Sequence, residues 1–101
     1  MSKRYDLQDI LESILGSKNV YFQPPKSVQL KYPCIVYERA NESARNANDT
    51  VYLLKKSYTI TLIDKNPDSE FEDEIRKLPY CSFNRSFASE GLNHFVFTIF
   101  F

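Results

Sequence analysis

Residues 57–79 read SYTITLIDKNPDSEFEDEIRKLP, and the spacing of apolar residues changes within them. From Tyr58 to Ile63 the pattern has a period of two. Tyr58, Ile60 and Leu62 alternate with Thr59, Thr61 and Ile63, which is the mark of a strand with one thick and one thinner face. After Asn66-Pro67 the pattern becomes helical, with Phe71, Ile75 and Leu78 on one stripe. Asn66 suits an N-cap and Pro67 the first helical position, acids fill the opening turns, and Arg76 and Lys77 close the helix. Pro79 forbids its continuation. The acids Asp68, Glu70, Glu72, Asp73 and Glu74 belong to a solvated outer face, because the apolar stripe occupies the inner one. A long strand leading directly into a short helix points to a mixed fold.

The same reading extends in both directions. Downstream, CSFNRSF and LNHFVFTIFF form two strands joined by the turn ASEG, where Gly91 is free to take positive φ. The last strand sets Phe95, Phe97, Ile99 and Phe101 on one face and Val96, Thr98 and Phe100 on the other. A strand apolar on both faces is covered on both, so one cover is expected to be another subunit. Upstream, Leu7, Ile10, Leu11, Ile14 and Leu15 follow one helical stripe, with Asp6 as N-cap and Gly16 as stop. NVYFQ reads as a short strand ending at Pro24-Pro25, and YPCIVYER as the next. In YPCIVYER, Cys34 and Val36 point one way and Ile35 and Tyr37 the other. The predicted order is helix-strand-strand-strand-helix-strand-strand. The fold class is α+β, a mainly antiparallel sheet of about four to five strands with two short helices on one face.

The totals bound the function. A chain of 101 residues suits one domain spanning residues 1–101. Thirteen basic and thirteen acidic residues give zero formal charge, without the basic excess of a phosphate-gripping protein, so specific nucleic-acid binding is not expected. The charged, amphipathic start does not resemble a signal peptide, and FVFTIFF is too short to span a bilayer as a helix. A soluble protein made in the cytoplasm, with no membrane partner, is therefore expected. Cys34 and Cys81 are expected to be reduced and buried, with a disulfide between them as the second reading.

Few residue groups could carry chemistry. The one histidine, His94, and Cys81 would have to meet across the final hairpin to act as base and nucleophile, and no third orienting group accompanies them. Two glycines cannot build a phosphate loop, and no pair spacing suits a metal. No catalytic residue, cofactor or metal is expected, and no enzymatic activity. Between YPCIVYE and VYLLKK lies ANESARNANDT (residues 40–50), longer than a plain hairpin requires.

In order and texture, the chain resembles the tail-terminator, or tail-completion, proteins of long-tailed bacteriophages. The resemblance rests on the N-terminal amphipathic helix, VYFQ, the proline-bearing link, YPCIVYER, KSYTITLIDKNPD, SEFEDEIRKL and LNHFVFTIFF, which together cover nearly the whole chain. It implies a structural virion protein of the tail-neck region, assembled in the host cytoplasm. Such a protein forms a homo-oligomeric ring, usually hexameric, that caps the tail tube and joins it to the head connector or stopper protein. DNA would pass through the ring without specific binding. The alternatives are a head-completion connector or stopper protein and, from another class, a sheet-based nucleic-acid-binding module. From the residues themselves, a projecting hairpin at about 40–56 is the expected contact element. Arg39, Glu42, Arg45, Asp49, Lys55 and Lys56 carry its charges toward a neighbouring subunit or the tube.

Overall fold

The structure is a computed structural model and describes residues 3–40 and 56–101. Seven elements follow in the expected order: α1 (Lys3–Leu15), β1 (Val20–Phe22), β2 (Cys34–Arg39), β3 (Ser57–Asp64), α2 (Glu70–Arg76), β4 (Cys81–Ser89) and β5 (Leu92–Phe100). The five strands form one sheet in the order β1-β2-β3-β5-β4. Among the described strands, β1 and β2 run parallel and the other pairs are antiparallel. The fold is α+β, as the alternation of periods implies.

Register decides which residues meet the helices. Ile35 and Tyr37 of β2 lie opposite Leu62 and Ile60 of β3, and these lie opposite Phe95 and Phe97 of β5. Tyr58 and Ile99 complete the row, and Val20 and Phe22 extend it onto β1. These side chains, with Leu7, Leu11, Leu15 and Ile75 from the helices, form a single core. Both helices therefore pack on one face of the sheet. Ile10 and Ile14 of the α1 stripe are half-buried at its margin.

A polar joint locks α1 to the sheet. The Tyr37 hydroxyl, on a side chain with no exposed surface, donates to Gln8 Oε1 at 2.5 Å. Gln8 Nε2 donates to the Val20 carbonyl at 3.0 Å, and Arg4 Nη1 donates to the Tyr37 oxygen at 3.3 Å. The Arg4 guanidinium also lies over the Phe22 ring, 4.2 Å from its centroid. One buried hydroxyl thus keeps both its donor and its acceptor capacity in use.

Two helix starts differ from expectation. α1 already includes Lys3, so Asp6 lies in the first turn instead of capping it. α2 begins at Glu70, after Ser69, not after Asn66. Asn66 closes a tight turn instead: its Oδ1 accepts from the Asp68 amide at 2.9 Å, and its own amide donates to Asp64 Oδ1 at 3.1 Å. The same short side chain that caps a helix can stabilise a turn, and here the turn is what β3 requires to reverse direction. Gly16 ends α1 at φ +75°, as expected. The final hairpin is tighter than ASEG suggests, because the strands run on to Ser89 and Leu92. Only Glu90 (φ +53°) and Gly91 (φ +76°) lie between them, the twin positive angles of a two-residue turn.

Phe97 has no exposed surface and packs edge-on against Phe83, with centroids 5.6 Å apart. Phe97→Ala should cost about 3–5 kcal/mol, a large share of the ~5–15 kcal/mol that holds such a domain folded. Tyr37→Phe should cost about 1–2 kcal/mol, since it leaves Gln8 without its buried donor. Urea denaturation of the two variants checks both the values and their order.

Candidate functional site

The six charged residues expected to form a contact element divide into two sets. Arg39 and Lys56 are described, and both are exposed at the end of the sheet where β2 leaves and β3 enters. There the Ala40 amide donates to the Ser57 carbonyl at 2.9 Å, and Lys56 exchanges two backbone hydrogen bonds with Phe101 at 3.0 and 2.8 Å. The Arg39 amide is tied to Gln23 Oε1 at 3.2 Å. Glu42, Arg45, Asp49 and Lys55 lie outside the described residues, as does the body of the expected hairpin at 40–56.

The structure separates Cys81 from His94. Cys81 pairs with Ile99 and faces the helices, whereas His94 pairs with Phe87 and faces the opposite side of the sheet. The two levels are five residue steps apart along β5, about 17 Å at ~3.4 Å per residue. The nucleophile–base pairing is thereby excluded. Both cysteines are free thiols, Cys34 fully buried and Cys81 half-buried, so the expected burial holds in full only for Cys34. Burial pushes both thiols up to about 11, with Arg76 pulling Cys81 slightly back. Among the described residues, no three His, Cys, Asp or Glu side chains cluster as metal ligands would, and no helix is long and apolar enough to cross a membrane.

Two surfaces remain as candidates. One is an apolar groove of about 370 Å³ where α1, the α2–β4 link and the end of β5 converge. Leu7, Ile10, Leu78, Ile99 and Phe101 line it, with Asp6 and Tyr80 also on its wall. The other is the sheet face turned away from the helices. Val36, Thr59, Thr61, Val96 and Thr98 occupy its middle, all of them buried or half-buried. Glu38 lies toward one side on β2, and Arg85 and Phe87 toward the other on β4.

A one-residue irregularity brings Phe87 to that second face. Register shifts between Phe83 and Arg85, so Asn84 has no partner on β5. Before it, Cys81 and Phe83 point under the helices; after it, Arg85 and Phe87 point the other way. Phe87 is 44% exposed and lies flat on His94, with centroids 4.6 Å apart and planes 8° apart. Arg85 sits 5.7 Å from the centre of the Phe87 ring. His94 Nδ1 is buried there without a hydrogen-bond partner among the described residues. Sequence pattern does not reveal this cluster, because the bulge reverses the alternation midway through NRSFAS. Asn84 beside a charged residue is the only cue.

The chain matches no family model, no curated protein and no solved structure. Its candidate surfaces are therefore read from their own chemistry.

At pH 8, iodoacetamide should modify both native thiols far more slowly than it does in urea, and Cys34 more slowly than Cys81. The fold favours the protonated thiols, so their contribution to stability is complete below the ordinary value of 9.0 and is lost as pH rises toward 11. Burial also raises the Tyr37 phenol, against the opposing pull of Arg4, and this acts in the same direction. Denaturation midpoints should fall between pH 9 and 11, and fall less in a Cys34→Ala, Cys81→Ala variant, which isolates the thiols.

Proposed function

We propose that this chain is a structural virion protein of the tail-terminator kind, without enzymatic activity. In this reading it forms a ring, of six copies as is usual for tail terminators, that caps a phage tail tube and joins it to the head connector or stopper. The observation that supports it most is the two-sided character of β5. Phe95, Phe97 and Ile99 are buried under the helices, while Val96 is 6% exposed on a face that neither described helix covers. A protein whose work is to be held between other proteins requires such a face more than it requires a cleft. The element order is the one on which the resemblance rests, and Arg39 and Lys56 flank the segment expected to reach the neighbouring protein.

A chain lacking residues 43–49 should fold, with an unchanged circular dichroism spectrum, and should fail to complete tails. Infective particles assembled with the deleted chain would sink the reading. Electron microscopy of the intact protein at high concentration, alone and with tail tubes, should show rings on the tube ends.

The Arg85–Phe87–His94 stack favours one further reading, a sheet-based module that stacks single-stranded bases on exposed rings. Affinity for single-stranded DNA that falls steeply with salt and is lost in Phe87→Ala would support it. Salt-insensitive or absent binding rejects it.

A further inference from the structure

We propose that the sheet face turned away from the helices binds the same face of a second copy, giving a two-fold pair of sheets. This goes beyond the ring, because it uses the sheet face and leaves the sheet edges for other contacts. The composition of the face suits such a core: β-branched and half-buried side chains (Val36, Thr59, Thr61, Val96 and Thr98) in the middle, with charge at the margins.

Area and charge choose the occupant. Four strands ~4.8 Å apart and eight residues long offer on the order of 500 Å² of sheet plane per copy. Two copies together come to about 1,000 Å², the lower bound for a stable interface. Glu38 and Arg85 are both exposed, and neither forms an ion pair among the described residues. They stand on opposite sides of β3, Glu38 on β2 level with Thr59 and Arg85 on β4 level with Val96 and hence Thr61.

A two-fold axis parallel to the strands through β3 lays β2 of one copy over β5 of the other, next to its β4. Glu38 of each copy then approaches Arg85 of the other, and the pair occurs twice. An in-plane axis across the strands would instead bring like charges together, β2 over β2. The charges therefore specify both the partner, a second copy, and the axis. Thr61 of β3 lies on the axis and meets its own equivalent.

Sedimentation of the full chain from micromolar to millimolar concentration tests the pairing. The wild-type chain should pair. Glu38→Lys or Arg85→Glu alone should weaken pairing at least about tenfold, since each change counts twice across the axis. The combined Glu38→Lys, Arg85→Glu chain should return to within about threefold of wild type. Thr61→Arg should be monomeric, with an unchanged circular dichroism spectrum. A wild-type chain that stays monomeric throughout, or a combined variant no better than the single ones, overturns the proposal. If Thr61→Arg does not fold, the charge exchange alone decides. Tail completion by a chain that never pairs removes the pairing and leaves the virion role intact. A chain that pairs yet never completes tails does the reverse.

Discussion

The register of β3 between β2 and β5 is the constraint from which the rest of the structure follows. It places Tyr58, Ile60 and Leu62 beside Ile35 and Tyr37 on one flank and Phe95, Phe97 and Ile99 on the other. A slip of one residue would turn all three toward the opposite side and present Thr59, Thr61 and Ile63 to the helices. The helical stripes of Leu7, Leu11, Leu15 and Ile75 would then meet two threonines and one isoleucine from β3 in place of Tyr58, Ile60 and Leu62. The pairing of the central strand thus selects where the helices can lie, and the Tyr37–Gln8–Val20 joint fixes α1 to that choice with polar geometry as well as apolar area.

Much of this could be read from the chain where a period ran unbroken. The alternation in SYTITLID and LNHFVFTIF assigns each residue to a face, and the i, i+3, i+4 spacing of α1 assigns its buried side. Local chemistry with two uses was harder to read. Asn66 serves equally as helix cap and turn closer, and only the path of the chain after Asp64 decides between them. Strand order was not readable at all. That β1 pairs parallel with β2 across residues 23–33 depends on a long-range contact with no local signature. The Phe87–His94 stack was hidden for a third reason, since a single unpaired residue inverts the pattern by which faces are assigned.

The two faces of the sheet have different characters. The helix side is aromatic and aliphatic, and its buried Tyr37 hydroxyl is hydrogen-bonded, while Ser69 Oγ at the start of α2 is buried without a partner among the described residues. The other side is β-branched, with its charges set apart at the margins and a histidine nitrogen left without a partner among the described residues. A buried nitrogen of that kind costs stability unless something else satisfies it. The apolar packing that holds the fold is concentrated on the helix face.

The unpaired Asn84 also affects the outer edge of β4. An edge strand of nine residues, with no neighbour on its outer side among the described strands, would ordinarily invite another strand to add beside it, and then another. The irregularity interrupts the even row of donors and acceptors after Phe83 and increases the local twist. A strand added there would stay in step for three residues on one side of the break and five on the other, never for all nine. Sideways growth into an endless ribbon is therefore discouraged at this edge.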